Sequence, residues 1–186
     1  MTTDGPVNRR GRLLVAAPAL ADPNFHRTVV LMLEHSPDGA LGLVLNRPTP
    51  LVAREALPSH LADLMPGDER VHQGGPVQPE AVILLADFAD PADAAGVAFD
   101  TVGIVDPDGA AARPGGLRAV RAFGGYAGWS GGQLEQEVAE EAWVDADPEV
   151  DDVFTSDHEG LWGRVIARKG GSWRLIATMP EDPSLN

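Results

Sequence analysis

The sequence predicts an α+β fold in one domain, with a largely antiparallel sheet and scattered helices. Three observations carry that prediction. Apolar runs of strand length recur along the chain, with Gly, Pro and Asp-Gly turn signals between them. Only three segments show helical spacing. The strands come in hairpins, not in the regular strand–helix alternation of a doubly wound sheet. At 186 residues and 44% hydrophobic the chain fits one domain with a sizeable core. Aromatic residues are only 5%, so Val, Leu, Ile and Ala must fill most of that core.

RLLVAA reads as a buried strand that Pro18 stops. TVVLMLEH, the turn SPDGA and LGLVLN read as a hairpin, and their continuous apolar runs suggest strands covered on both faces. VAREALPSHLADLM spaces Leu57, Leu61 and Leu64 helically, but Pro58 interrupts it, giving one broken helix or two short ones. RVHQGGPVQPEAVILLAD gives a short strand, a Gly-Gly-Pro turn and a firmer strand at residues 81–86. Residues 87–116 read as loops around one strand at 97–105, and LRAVRAFGGYAGW as a strand that breaks at Gly124-Gly125. GGQLEQEVAEEAW is a helix with Leu134, Val138 and Ala142 on one face. WVDADPEVDDVF reads as an acidic connection, GLWGRVIARKG as a last helix and WRLIATMP as a final strand. The expected boundaries are a tail at 1–11, the domain at 12–180 and a second tail at 181–186.

Charge narrows the function classes. The formal net charge is −14, and from Gln133 to Gly163 eleven acidic residues occur with no Lys or Arg. Nucleic-acid binding needs cations that neutralise phosphates. The 14 basic residues form no clear stripe beyond Arg9, Arg10 and Arg12, which read as a solvated, frayed terminus. Direct nucleic-acid binding is therefore not expected. With no cysteine, disulfides, thiolate metal sites and a cysteine nucleophile are excluded. No signal-like segment and no run near the ~20 apolar residues of a membrane helix occurs, so the chain reads as cytoplasmic.

GWSGG at 128–132 matches the G-x-S-x-G nucleophile elbow, and Asp145, Asp147 or Asp157 followed by His158 could complete a triad on paper. Against this, the preceding strand breaks early, the following helix looks half-solvated, and no second glycine-rich segment offers an oxyanion hole. The expectation is a turn in which Gly131-Gly132 permit the reversal and Ser130 caps the helix. No G-x-G and no Gly-Lys pair exists, which removes the common phosphate-binding loops. Asp145, Asp147 and Glu149 start like a calcium loop, but Val150 and Ser156 stand where Gly and Glu belong. His26, His35, His60 and His72 lack paired helical spacing, and His158 has no partner histidine nearby in sequence. No metal and no cofactor is expected.

LLVAAPALADPNFHRTVVLMLEH, GALGLVLNRP, HQGGPVQPE and GGYAGWSGGQLEQE, in that order from about Leu13 to Trp143, resemble the YqgE/AlgH family of uncharacterised bacterial proteins. The resemblance implies a barrel-like sheet surrounded by helices. The family is often labelled a putative transcriptional regulator, and no reaction is established for it. Its motif residues fall at Pro18, Asp22, Phe25, Arg27, Glu34 and His35, then Gly42, Asn46, Arg47 and Pro48, then Gly74, Gly75 and Pro76. They continue at Tyr126, Gly128, Trp129, Gly132, Gln133, Leu134, Glu135 and Trp143, and the place of Ser130 is not tied to serine. Arg27, His35, Asn46, Arg47, Gln133 and Glu135 are expected either to line a polar pocket roofed by Tyr126 and Trp129, or to form an internal network in which Glu135 pairs with Arg27 or Arg47. Gly74 and Gly75 are expected beside them. The leading function is a non-catalytic or weakly catalytic binding module whose pocket or acidic face engages a small ligand or a protein partner. Behind it stand a regulator acting through a protein partner and, last, a hydrolase using Ser130.

Overall fold

The computed structural model describes residues 7–108 and 116–181. Ten strands form one sheet: β1 (Leu13–Ala16), β2 (Val29–Ser36), β3 (Gly39–Val44), β4 (Pro48–Val52), β5 (Arg70–Gln73), β6 (Val77–Phe88), β7 (Gly96–Phe99), β8 (Val102–Ile104), β9 (Leu117–Ser130) and β10 (Trp143–Ala146). Six short helices accompany them: α1 (Ala53–Ala56), α2 (Ser59–Ala62), α3 (Gln133–Ala139), α4 (Val150–Phe154), α5 (Leu161–Ala167) and α6 (Trp173–Ile176). The order β10-β1-β2-β3-β9-β6-β8-β7 is antiparallel throughout, and only β5 joins β9 in parallel, carrying β4 on its far side. Alternation explains the burial of β1 and β2 on both faces. Odd-numbered residues such as Leu13, Leu31 and Leu43 pack on α4 and α5, and even-numbered ones such as Leu14, Val30 and Val44 pack on α3. A third cluster joins α1 and α2 to the β6 half of the sheet.

The fold is α+β, but the sheet curls without closing into a barrel. Its main path ends at β10 and β7, and β4 forms a third edge beyond β5. The segment before β1 nearly seals β7: Arg10 Nη2 donates to the Val97 carbonyl at 3.1 Å. At Gly11 a Cβ would meet the Ala98 carbonyl oxygen at 2.4 Å. The three terminal arginines are therefore not frayed. Arg12 pairs with Asp145 and Asp147, and the mostly buried Arg9 lies 3.5 Å from Asp145. The acidic strand β10 thus supplies a counterion, Asp145, to both Arg9 and Arg12. Of the expected tail, residues 1–6 lie outside the described part, and 7–11 include these contacts.

Four local readings differ from the structure. The strand at 117–129 does not end at Gly124-Gly125. Gly125 takes a φ of +69°, and the strand runs on through it to pair with β3. Residues 97–105 form two strands, because Asp100-Thr101 turns the chain into a tight hairpin. The acidic connection contains β10 and α4. In α4, Glu149 and Asp152 form a reciprocal capping box, and Arg168 holds the buried Asp152 at 2.6 Å. The expected last strand is α6. Gly170 and Gly171 turn the chain back, and Trp173 and Ile176, three apart, meet the main core from one helical face.

Candidate functional site

The ten residues expected at one site divide between the two ends of β2. Arg27 stands just before that strand and His35 near its end, a separation of roughly 25 Å at strand rise. At the first end every group has an internal partner. Arg27 stacks 4.4 Å above the Trp162 ring and donates to the carbonyls of Met179 and Pro180. Asn46 accepts from the Val29 amide and donates to the Arg27 carbonyl, and Arg47 donates to the His26 carbonyl at 2.7 Å. Gly74 and Gly75 pass against β9 at Gly125 and Tyr126. The niche left beside Arg47, Gln73 and Gly75 holds about 10 Å³, room for one water.

The second end gathers His35, Glu135, Gln133 and Trp129 where β2 and β9 meet the start of α3. His35 Nδ1 accepts the Arg9 amide at 3.0 Å, and its Nε2 lies 2.6 Å from Glu135. Both ring nitrogens of His35 are therefore engaged within the protein. The Glu135 carboxyl sits below the ordinary range, first through its own backbone N–H and then through His35 and Arg9, with burial opposing. Glu137 accepts both indole N–H groups, from Trp129 at 2.9 Å and Trp143 at 2.8 Å, and the Gln133 amide as well. Tyr126 and Trp129 roof no common pocket. They are three apart on β9, and Tyr126 meets the α5 side of the sheet while Trp129 meets the α3 side.

Ser130 is the last residue of β9 and does not cap α3, whose N-cap is Gly132. Its amide and hydroxyl both bond to Gln133 Oε1, at 3.1 and 3.2 Å. His158, the histidine a triad would need, lies against His72 instead.

Beside His35 the open seam of the sheet widens into a groove of about 580 Å³. That volume lies in the range of roughly 300–1,000 Å³ common to ligand sites. Leu33, Leu41 and Ile104 supply apolar lining, and Arg10, Glu34 and Asp38 supply charge. One wall is the β2–β3 hairpin and the other is the start of β7 with the end of β8. Sequence reading could not place this groove, because its walls are some sixty residues apart and meet only through the curl of the sheet.

A second polar cluster was also missed. Arg121 is 4% exposed on β9; its Nε bonds to Glu69 at 2.6 Å and its Nη1 to the carbonyls of Val153 and Thr155 at 2.9 Å. Next to it the buried His72 donates from Nδ1 to the Arg70 carbonyl, and its Nε2 lies 3.5 Å from His158 Nδ1. Burial, then the neighbouring Arg121 and His158, pushes the His72 pKa down to about 3, and burial and Arg121 lower that of His158. A histidine depressed in the folded state binds its proton only on unfolding. Stability is therefore full above the unfolded value of about 6.5 and falls as the pH drops below it toward 3. Between pH 6.5 and 5, chemical denaturation should show losses approaching ~1.4 kcal/mol per pH unit from His72. His72→Asn should flatten that slope, and an unchanged slope would contradict this assignment.

A curled, mostly antiparallel sheet with short helices on both faces and a groove at its open seam defines a class of small α+β proteins. Within that class the chain belongs to the AlgH-like family (DUF179), whose model matches residues 13–174. A UPF0301 protein of Streptomyces avermitilis is 43% identical over 185 residues, covering 95% of this chain and 94% of its own. One from Chlorobaculum tepidum is 39% identical over 191 residues, covering both chains fully. Among solved structures, protein DIP2367 of Corynebacterium diphtheriae superposes with a TM-score of 0.79 at 26% identity, over 96% of this chain and 95% of that one. The AlgH protein of Pseudomonas aeruginosa gives 0.67 at 27% identity, over 97% and 98%. None of these names states an activity.

Proposed function

We propose that this chain is a non-catalytic binding module that holds a small ligand or a protein partner in the seam groove. The observation that carries this reading is the contrast between the groove and its neighbourhood. The polar side chains beside it are saturated by each other, as in His35–Glu135, whereas the groove keeps open volume with charged and apolar lining together. A general base needs a free nitrogen, and His35 has none to offer. Direct nucleic-acid binding does not fit, because 28 acidic residues face 14 basic ones and several arginines are already paired. A cytoplasmic location belongs to the same reading; no helix among the described residues is long and apolar enough to cross a membrane.

Mass spectrometry of the protein taken from its own source tests this under native and denaturing conditions. The expected result is a reproducible extra mass or a co-purifying protein, lost on denaturation and absent in Ala95→Trp. Ala95 is an exposed lining residue, so the new side chain fills the groove without disturbing the core. A bare mass in both proteins, or an adduct indifferent to Ala95→Trp, would contradict the groove.

A further inference from the structure

We infer that the corner where β5, β9 and the α4–α5 connection meet is an acid-released latch. As the pH falls, His158 takes a proton and residues 156–160 leave the sheet, while the rest of the fold stays closed. Three basic side chains converge on this corner. Arg121 and His72 are buried in the sheet, and His158 packs edge-on against His72, with ring centroids 4.7 Å apart. A proton on either ring adds a second cation beside the guanidinium. The carboxylates nearby do not balance it. Glu69 is taken by Arg121 Nε at 2.6 Å, and the exposed Asp157 faces Arg164 of α5 at 3.5 Å. Glu159, next along the loop, is exposed and screened by water. Arg70, the other charge on β5, is exposed and reaches the Pro50 carbonyl.

Of the three groups, His158 is the one that can leave. Arg121 is fixed by Glu69 and by the carbonyls of Val153 and Thr155, and His72 sits within β5 between β4 and β9. His158 lies between the end of α4 and the start of α5, in a stretch whose turn bonds are its own. There the Asp157 amide donates to Thr155 Oγ1 and the Gly160 amide to Asp157 Oδ1. The approach of His158 Nδ1 to His72 Nε2, at 3.5 Å, is too long to hold the ring firmly. The clamp on the Thr155 carbonyl and the start of α5 at Leu161 bound the segment that moves. Burial first, and then Arg121, hold the His158 pKa below its ordinary value, with Glu69 and Asp157 opposing. A histidine depressed in the closed form favours closure above about 6.5 and favours release as the pH falls below it, because the freed ring binds the proton more tightly. Release uncovers His72, whose ring lies 5.7 Å from that of the buried Phe123. His72 itself stays in β5 and takes its proton at a lower pH, about 3.

A pH titration of the whole chain followed by NMR tests the latch, reading the His158 ring and the backbone amides together. The ring should titrate reversibly with a midpoint below about 6.5. The amides of residues 156–160 should move to unstructured positions with that same midpoint, while those of β2 and α5 hold theirs. In His158→Asn the amides of 156–160 should keep their neutral-pH positions down to the pH at which β2 itself unfolds. His60→Asn, at an exposed histidine of α2, should behave as the parent. A His158 ring that takes its proton while 156–160 keep their folded positions would overturn the latch. Movement of the loop and β2 amides in one step would overturn it too, since the proton would then enter only on global unfolding. Loop release that persists in His158→Asn would do the same.

Discussion

Arg121→Ala is expected to lower the unfolding free energy by about 3–5 kcal/mol, read from urea denaturation at neutral pH. The guanidinium is buried and serves Glu69 with Nε, Val153 and Thr155 with Nη1, and Phe154 more weakly with Nη2. Truncation leaves a carboxylate without its counterion and strips several carbonyls of a donor, and unsatisfied buried groups are costly. It also detaches the end of α4 from β9, so the transition should broaden as that corner loosens first. Glu69→Ala should cost less, about 1–2 kcal/mol, because Arg121 keeps its carbonyls and Glu69 is partly exposed. Equal effects of the two substitutions would show that the ion pair, and not the carbonyl clamp, matters most.

Gly75→Ala should cost about 3 kcal/mol or more, or abolish folding at 37 °C. A Cβ at Gly75 would lie 2.1–2.2 Å from backbone atoms of Tyr126 and Ala127. Backbone cannot rotate out of the way as a flexible side chain does, so β9 itself must move. That strand is the spine of the sheet, paired with β3, β5 and β6. Gly128→Ala is the control, since its φ suits any residue and the nearest atom to its added Cβ lies 3.5 Å away; a loss there equal to that at Gly75 would refute the close-approach explanation.

Much of the fold was legible in local pattern. The β2–β3 hairpin follows from two apolar runs around Ser36-Pro37-Asp38-Gly39, and Pro58 splits α1 from α2 as proline must. Where pattern failed, the reason is specific. WRLI is too short for apolar content to separate strand from helix, and α6 is settled by its docking on α5. The segment of α4 read as an acidic connection, yet Asp152 is buried because Arg168 reaches it from sixteen residues on.

The site was legible only in part, since its contacts are long-range. His35 and Glu135 were singled out, but their mutual bond spans 100 residues and shows only in the fold. Arg27, Asn46 and Arg47 lie together at one strand end, opposite to the end of β2 that carries His35. Arg121 left one signal, the inner of two charges in the apolar run LRAVRAF, which in a strand covered on both faces calls for a buried partner.

Photo-crosslinking in the source cells tests the central claim most directly, with benzoylphenylalanine placed at position 95 in the groove wall or at position 55 on the exposed face of α1. The account predicts a discrete adduct from position 95, absent from position 55 and suppressed by Glu34→Gln with Asp38→Asn. Adducts of the same pattern from both positions, or none from position 95 while the protein is folded and abundant, would contradict a binding function for the groove.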